Sequence, residues 1–430
     1  MAERTDFYGW KLLGVFWLIL FANFAFPLYG AGVVNTYMAA DLHLDRASLG
    51  LAYGVLQWMV GLPAPLAALC IYKKGVRFTM TMGCLAVVAG ALLMATWVRT
   101  GLQADLVLGC IIGVGLLAGG ILGAQAGITR WFIRNKARAI TLAHTGIGIG
   151  GFVAAPVQLR IISATGGNWR AGWWLMAGMS SVAALLAALF VREQPSDLGQ
   201  LPDGEQAGQD DSRSRAVAEV VRASRVYKTT EEWSLREVWR APAIWLLLIS
   251  ILGFSAGYPM FLAHGLAHLR DLGFTPAAAT FSISVMLLSA LAGQLLFAGI
   301  GDIIEPRLIW AAASAIFGTG MLLALHASGA AGLWLYAICL GSGFGIAFSA
   351  MMTLPANYFG SRAYASVVGV VIAVGTTAGA AGAYAAGFVF DRYGTYQLAF
   401  YSVAGLSFLG ALLLLLTKPP VRKAEQAQTA

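Results

Sequence analysis

The residues in this sequence that could do chemistry are neutral polar side chains and a few histidines, set within long apolar runs. No Lys, Arg, Asp or Glu lies well inside those runs, which leaves amide, hydroxyl and imidazole groups to contact a polar ligand. Each such residue also has a structural interpretation as a hydrogen-bonding contact between helices. The neutral candidates for ligand contact are Asn23, Tyr29, Gln57, Tyr258, Gln294, Thr377 and Tyr384.

Histidine adds a group that changes charge near neutral pH, because its unperturbed pKa is about 6.5. His264 and His268 are one helical turn apart and share a helix face with Met260. His264 is a candidate for binding a proton or an anionic ligand. A methionine with two histidines would also suit a soft metal ion, but no second cluster faces them. His144 is a further candidate for proton coupling, with packing inside the protein as the alternative.

The composition sets the environment of these residues. The chain has 430 residues, of which 59% are hydrophobic and 11% are charged, and its mean hydropathy is +0.73. So few charged residues cannot cover the surface of a soluble protein of this size. The sequence therefore predicts an integral membrane protein, with the lipid bilayer as its surroundings.

Twelve apolar runs are long enough to cross a bilayer as helices, each of which needs about 20 residues. Backbone groups in lipid must be hydrogen-bonded internally, so runs of this length favour helix over strand. The first is too long for a removed signal peptide. The runs cover residues 12–35, 48–72, 78–98, 106–128, 139–159, 171–191, 243–268, 275–300, 308–327, 331–355, 364–390 and 395–417.

One long polar stretch divides the twelve runs into two sets of six. We expect a six-helix bundle over residues 1–191 and a second over 242–417. Between them we expect a cytoplasmic linker, 192–241, and after them a cytoplasmic tail, 418–430.

Two parts of the linker have different compositions. Acidic residues mixed with Gly, Gln and Ser predict disorder from Arg192 to about residue 215. Ser234 and Glu237 then have the spacing of a capping box, which predicts a short interfacial helix just before Pro242. A plain linker is the alternative.

Lys and Arg are unevenly distributed between the two sides of the predicted bundle. With the N-terminus inside, 22 of the 28 lie on the inner side, eight of them in the linker, and six lie on the outer side. Cytoplasmic loops carry such an excess in membrane proteins, so both termini are predicted to be cytoplasmic. The same bias accounts for the sequence pI of about 9.4 without a nucleic-acid partner.

The two halves also resemble each other in sequence. In the first half Phe132 precedes arginines and a glycine series that begins at Gly146. In the second half Phe359 precedes an arginine and glycines that begin at Gly375. Repeats of six spans are typical of secondary transporters, which bind their solute between the repeats near the bilayer centre.

Several motifs resemble those of the major facilitator superfamily. The run from Gly293 to Arg307, which contains Asp302, is similar to the loop motif between the second and third helices of each half. Shorter strings resemble the superfamily's monocarboxylate and oxalate/formate branch. The resemblance covers about residues 8–417 and implies an all-α fold of two pseudo-symmetric six-helix bundles. The branch strings are Tyr8-Gly9-Trp10, Trp131-Phe132, Asn168-Trp169-Arg170, and His264 followed by Leu269, Asp271 and Gly273.

The resemblance implies a charge latch that holds the cytoplasmic side shut in the outward-facing state. In the first half Tyr72 stands where the superfamily usually has Asp, whereas the second half keeps Asp302. We therefore expect only the second latch to be fully charged. Arg362 is the expected partner of Asp302, with a solvated loop pair as the alternative. The other residues assigned to gating are Arg77, Arg307 and Asp391.

The resemblance also implies a carboxylate-binding arginine on the eighth helix, eight residues before the loop Asp. Gln294 occupies that position in this sequence. A charge at mid-membrane costs about 2.5–3.5 kcal/mol on insertion scales, so its absence is the default. A cavity without fixed charge suits a neutral or aromatic solute better than an anion.

These features predict a secondary or facilitated transporter that moves a small, monocarboxylate-like organic anion by alternating access. A neutral or aromatic metabolite is the alternative, and soft-metal transport is less favoured. We expect facilitated exchange or proton-linked uptake through His264. No nucleophile, metal cluster or ATP-binding motif is legible, so we expect neither enzyme activity nor a cofactor. We further expect a multi-pass protein of a bacterial inner membrane that functions as a monomer.

Overall fold

The computed structural model describes residues 7–43, 55–56, 58–204 and 226–420, and no strand occurs within these ranges. In the first half, α1 consists of three continuous segments, Tyr8–Ile19, Leu20–Gly30 and Ala31–Asp41, of which the middle one is π-helical. The other helices of this half are α2 (Ala64–Lys74), α3 (Val76–Thr96), α4 (Gly101–Trp131), α5 (Lys136–Ala164) and α6 (Arg170–Phe190).

The second half begins with the short linker helix, Leu235–Arg240. A continuous helical stretch, Gly329–Tyr393, is interrupted at Gly360, which has a φ of +74° that glycine adopts readily. We label the part before Gly360 α10 and the part after it α11. The remaining helices are α7 (Pro242–Asp271), α8 (Pro276–Ile300), α9 (Pro306–Leu325) and α12 (Gln397–Leu416).

The helix inventory confirms the predicted fold class. Ten helices of the described chain are long and apolar enough to span a membrane. The stretch Gly329–Tyr393 contributes two spans to the fold rather than one, because of the break at Gly360. α2 represents the predicted run 48–72, the beginning of which lies outside the described residues, so all twelve predicted runs are represented.

The chain forms two compact units. The first comprises Met1–Ala216 and Val368–Thr377, and the second comprises Val217–Val367 and Ala378–Ala430. In the first unit α3 packs along α6, and α5 packs along α1. In the second unit α9 packs along α12, and α7 packs against α11 through Gly379 and Gly382. The same helix pairs, counted within each half, therefore carry the packing of both units.

Glycine allows the closest of these contacts. A Cβ built on Gly83 of α3 would overlap the backbone of Gly119 in α4. Because even one methyl group cannot fit there, the two backbones approach as membrane helices do at small residues. α4 is itself interrupted at this point, where its helix stops at Ala118 and restarts at Ile121.

The beginning of the linker is ordered, which corrects part of the predicted disorder. Residues 192–204 contain two short 3₁₀ turns, Pro195–Leu198 and Pro202–Gly204. The Asp203 carboxylate accepts hydrogen bonds from the backbone N–H groups of Ile133, Arg134 and Asn135, at 2.8, 2.7 and 3.3 Å. These three N–H groups precede the first turn of α5, so the acidic residue stabilises a helix start. The rest of the segment predicted to be disordered lies outside the described residues.

The end of the linker contains the capping box that its sequence spacing predicts. The Glu237 backbone N–H donates to Ser234 Oγ at 3.4 Å, and the Ser234 N–H donates to Glu237 Oε2 at 2.8 Å. The linker helix starts at the next residue, Leu235, and α7 follows at Pro242. Trp245 Nε1 donates to the carbonyl of Trp239 at 3.1 Å, which ties the linker helix to α7.

Candidate functional site

The polar candidates of the first unit include one fully buried amide. Asn23 lies in the π-helical segment of α1, and its Nδ2 is 3.5 Å from the carbonyl oxygen of Gly119. Its Oδ1 has no donor partner among the described residues. The carbonyl that it contacts lies at the interruption of α4, where helical backbone bonding fails. Irregular backbone at membrane depth occurs where it lines a cavity or is buried in protein.

The other candidates of this unit differ in burial. Tyr29 is 47% exposed, and its ring packs on Gly151 of α5. Thr377 is exposed, and its hydroxyl donates to the carbonyl of Ala373 one turn earlier at 2.7 Å. Gln57 lies outside the described residues. Tyr29 and Thr377 are therefore accessible, whereas Asn23 is enclosed.

In the second unit Tyr258 belongs to an aromatic stack. Its ring is nearly parallel to that of Phe344, with centroids 3.6 Å apart and an interplanar angle of 7°. Phe348 extends the stack from Phe344 at 5.8 Å, and Phe254 lies edge-on to Phe344 at 6.1 Å. Tyr258, Phe344 and Phe348 are all half-buried, so this stack of α7 and α10 presents ring surface to its surroundings.

His264 has two polar neighbours at the end of α7 that precedes the connection to α8. Its Nε2 is 3.0 Å from the carbonyl oxygen of Ala383 in α11. Its Nδ1 is 3.4 Å from the hydroxyl of Tyr396, the residue before α12. His268, one turn further along, is buried and contacts the carbonyl oxygen of Ala324 at 3.1 Å. The structure thus brings His264 onto two other helices of its own unit.

His144 has the surroundings of a packing histidine. It is 1% exposed, and its Nε2 lies 2.5 Å from Nε2 of Gln125 in α4. Gln125 is itself fully buried. This contact between α4 and α5 supplies a reason for a polar pair in an apolar core, because buried polar groups are hydrogen-bonded.

The two remaining candidates lie on the surface of the second unit. Gln294 of α8 is half-buried, and Tyr384 of α11 is 78% exposed. Within the part of the chain that the structure describes, neither shares a hydrogen bond with another candidate. Among the described residues, no three His, Cys, Asp or Glu side chains form a cluster that could hold a metal ion, so the soft-metal alternative gains no support.

The first predicted gate is built around an acid that the sequence analysis missed. Glu193, just after α6, accepts hydrogen bonds from the backbone N–H groups of Val76 and Arg77, both at 2.9 Å. It also forms an ion pair with Arg130 at 2.7 Å. Tyr72 is 64% exposed on the last turn of α2. A linker carboxylate thus supplies negative charge at the loop where Tyr72 replaces the usual Asp.

The second predicted gate has a cation from the linker. Lys228 Nζ lies 3.1 Å from Asp302 Oδ1, and the side chains are only 2% and 15% exposed. We expected Arg362 in this role, but the structure places Lys228 there. The Tyr227 N–H donates to Glu305 at 3.0 Å in the same loop. Burial raises the pKa of the Glu305 carboxyl, although the Tyr227 N–H, Arg307 and Lys228 oppose the rise.

The remaining gating candidates occupy separate positions. The Arg362 backbone N–H donates to Glu232 Oε2 at 3.2 Å at the start of α11. Arg307 donates to the carbonyl of Thr417 at the end of α12. Asp391 is exposed near the end of α11. The Glu232 contact at α11 matches the Asp203 contacts at α5, so each end of the linker places an acid at the corresponding helix start of its unit.

A short motif of the first half has a structural role in the fold. Trp169 Nε1 donates to Asp41 at 2.9 Å, and Arg170 lies 3.6 Å from the same carboxylate. The Arg170 guanidinium also lies 4.1 Å from the centre of the Trp169 ring, a cation–π distance. Asn168-Trp169-Arg170 therefore ties the start of α6 to the end of α1.

Comparisons with known proteins place this geometry in context. A family model described as the Major Facilitator Superfamily matches residues 15–383 and 265–430. The chain is 26% identical over 354 residues to monocarboxylate transporter 13 of Bos taurus, covering 78% of this chain and 73% of that protein. It is 21% identical over 412 residues to monocarboxylate transporter 4 of Gallus gallus, covering 95% of this chain and 82% of that protein.

Solved structures match the fold over nearly the whole chain. The E. coli fucose:proton symporter FucP has a TM-score of 0.70 and 14% identity, covering 96% of this chain and 100% of that one. The proton:xylose symporter XylE has a TM-score of 0.68 and 14% identity, with 96% of each chain covered. The human organic anion transporter MFSD10 has a TM-score of 0.63 and 16% identity, covering 96% and 100%. At these identities the likeness establishes the fold alone.

Proposed function

The chain belongs to the Major Facilitator Superfamily, and we propose that it carries a small organic anion of the monocarboxylate type by alternating access. It is an integral multi-pass membrane transporter of small organic solutes, not an enzyme, as its relatives are transporters. The observation that carries the anion proposal is the likeness to named monocarboxylate transporters over up to 97% of the chain. Its motifs in the loops and helix ends support the same branch.

Neutral donors and His264 would bind the carboxylate in place of a fixed arginine. In the second unit the candidates are Tyr258, His264, Gln294 and Tyr384, of which Gln294 holds the position of the expected arginine. A carboxylate accepts hydrogen bonds from amide and hydroxyl groups without a permanent positive charge. In the first unit Tyr29 and Thr377 are accessible for solute contact, as is Asn23 if a movement of α1 or α4 uncovers it. We propose Gln57 as a further contact.

Proton-linked uptake follows from the same set. A protonated His264 would attract the anion, and release of its proton would weaken that attraction, because histidine changes charge near neutral pH. We therefore propose that His264 couples anion uptake to proton entry. The buried contact with Gln125 makes His144 the less favoured coupling residue.

Transport into sealed vesicles tests the proposal. Purified protein in liposomes with an acidic exterior should accumulate radiolabelled monocarboxylates, and a protonophore should abolish the accumulation. Leaky vesicles should show no retained solute. If labelled monocarboxylates neither enter nor exchange while a neutral solute does, the anion proposal is wrong.

The aromatic stack favours one second candidate. Tyr258 and Phe344, 3.6 Å apart and nearly parallel, offer a half-buried ring surface on which another ring could stack. An aromatic or neutral metabolite would need no cation at position 294. Competition distinguishes the two solutes, since an aromatic substrate should block uptake more strongly than an aliphatic acid of equal charge. Tyr258→Ala should reduce that preference.

The last part of the proposal concerns the membrane, the orientation and the oligomeric state of the protein. We propose a bacterial inner membrane with both termini cytoplasmic, on the strength of the Lys and Arg distribution. We also propose a functional monomer with bundles over 1–191 and 242–417. Reporter fusions after Lys418 would test the orientation of the C-terminus. Transport by vesicles that each contain a single protein molecule would test whether the monomer is functional.

A further inference from the structure

We propose that Tyr396 is a positioning residue that holds a hydrogen bond to Nδ1 of His264, the ring atom that takes up a proton. The inference rests on the proton-linked transport proposed above. It identifies Nδ1 as the atom of His264 that is protonated and Tyr396 as the residue that contacts this atom. Tyr396 lies 132 positions along the chain from His264, and their contact arises only in the folded protein.

The tautomer follows from the partner of Nε2. The carbonyl oxygen of Ala383, 3.0 Å from His264 Nε2, can only accept a hydrogen bond. Nε2 must therefore carry the hydrogen in the neutral ring. Nδ1 then holds a lone pair, and the Tyr396 hydroxyl at 3.4 Å is placed to donate to it.

The surroundings of Tyr396 hold its ring in place. Tyr396 is 6% exposed, and its ring stacks on Phe390 with centroids 4.5 Å apart and an angle of 25°. His268 lies edge-on to the same ring at 5.9 Å. Phe400 closes another side at 6.3 Å. With these neighbours the hydroxyl has little freedom to leave Nδ1.

Two carboxylates lie near the Tyr396 hydroxyl. Burial raises the pKa of Tyr396, and the carboxylates of Asp271 and Asp391 raise it further. Tyr396 therefore stays a neutral phenol. At the same end of the helices around it, the other charged or titratable side chains are His268, Arg270, His326, Tyr384, Arg392, Tyr393 and Tyr401.

Tyr396 keeps its own proton when His264 is protonated. A proton from water binds the lone pair of Nδ1, and the imidazole becomes a cation. The hydroxyl of Tyr396 rotates, so that its oxygen accepts the hydrogen bond from the new Nδ1–H. Charge-assisted hydrogen bonds are stronger than neutral ones, so this oxygen stabilises the protonated ring more than the neutral ring.

Tyr396→Phe tests the proposal in proteoliposomes. Uptake should continue, but the pH of half-maximal uptake should move to the acid side by about 0.5 to 1 unit, because the charge-assisted bond is lost. Tyr393→Phe is the matched control, since Tyr393 is 64% exposed at the same helix end and its variant should keep the parent profile. A Tyr396→Phe profile that coincides with the parent profile would overturn the positioning role.

A second measurement does not depend on transport. Nitrogen NMR of protein labelled with ¹⁵N-histidine resolves ring tautomers, and with five histidines the His264 signals are assigned by their loss in His264→Gln. We expect the Nε2–H tautomer in the parent, and in Tyr396→Phe the same tautomer with a changed Nδ1 chemical shift, because the hydrogen bond to the Tyr396 hydroxyl is lost. An Nδ1–H tautomer in the parent would contradict the inference. Unchanged pH dependence of uptake in His264→Gln would instead refute the proton role on which it rests.

Discussion

Lys228 and Asp302 form an enclosed ion pair, with Nζ 3.1 Å from Oδ1 and side-chain exposures of 2% and 15%. Lys228 comes from the linker and Asp302 from the loop between α8 and α9. The pair therefore holds a segment that precedes the second bundle against a loop inside it. Removal of one partner would leave the other charge buried.

Lys228→Ala should destabilise the second unit, because the buried Asp302 carboxylate loses a cation that lies 3.1 Å away. The melting temperature of the purified protein measures the loss. Lys418→Ala is the control, because Lys418 is exposed and its removal should change the melting temperature little. Lys228→Met combined with Asp302→Asn should recover much of the stability, and an equally unstable double variant would argue against the ion pair as the cause.

Asp203→Ala should lower stability by about 1–2 kcal/mol, because three backbone N–H groups before α5 lose their acceptor. Asp203→Asn keeps one acceptor oxygen and should have a smaller effect. Asn also tolerates the positive φ of 60° that this residue adopts. Hydrogen exchange of residues 133–135 should accelerate in the alanine variant, and unaltered exchange there would contradict this role.

The pH dependence of stability should contain a contribution from Glu305. Its pKa is raised from the ordinary value of 4.5, chiefly by burial, so the protonated carboxyl is favoured more in the folded protein than in the unfolded chain. The stabilising contribution is therefore present below pH 4.5 and decreases as the pH rises through the raised value. Glu305→Gln removes this titration. The melting temperature of the variant, relative to the parent, should rise between pH 4.5 and pH 7; a constant difference would exclude the effect.

Gly83→Ala should disrupt the first unit, because the added methyl group would overlap the backbone of Gly119. Overpacking of this kind costs about 1–3 kcal/mol. Gly178→Ala in α6 is a matched control, since nothing lies within 4 Å of a Cβ at that position. The change in melting temperature should differ between the two variants in sign or size. Equal melting temperatures would mean that α4 can move away from the added methyl group at little cost.

Gln294→Arg should change which solutes are transported if Gln294 contacts the solute. A new hydrogen bond to a charged group contributes about 1.5 kcal/mol or more, which corresponds to roughly a tenfold tighter half-saturation for an anion. The half-saturation concentrations of neutral solutes should not fall. Gln397→Arg serves as the control, because Gln397 is exposed at the start of α12. Equal selectivity in the two arginine variants would place the binding site elsewhere.

Most of the fold could be predicted from the lengths of the apolar runs. Lipid leaves the backbone no partner but itself, so length and hydropathy alone indicate helices. The capping box at Ser234 and Glu237 was predictable for a similar reason, because its contacts are local. The π-helical segment around Asn23 and the interruption of α4 were not predicted, since they depend on contacts between helices.

Contacts between distant parts of the chain were also not predictable for the candidate site. Glu193 and Asp203 lie in the part of the linker whose composition predicts disorder, and Lys228 lies further along the linker. Only the folded structure reveals the loops that they contact. Glu193 is 117 positions from Val76, and Tyr396 is 132 positions from His264. Sequence spacing gives no signal for such pairs. One signal in the sequence could have suggested these contacts. The linker is rich in acidic residues, whereas the first turns of α3 and α5 contain none.

The interruption of α4 bears on how this helix can deform. Bending a continuous helix stretches backbone hydrogen bonds on its outer side, but Gly119 and Gly120 stand where that ladder is already open. α4 thus consists of two helical parts that meet at these glycines, the first of which contains the π-helical segment Val107–Gly113. Its neighbour α3 has no such joint along Val76–Thr96 and must tilt as one piece. A bend in α4 should therefore pivot at this pair of glycines, whereas α3 offers no matching pivot.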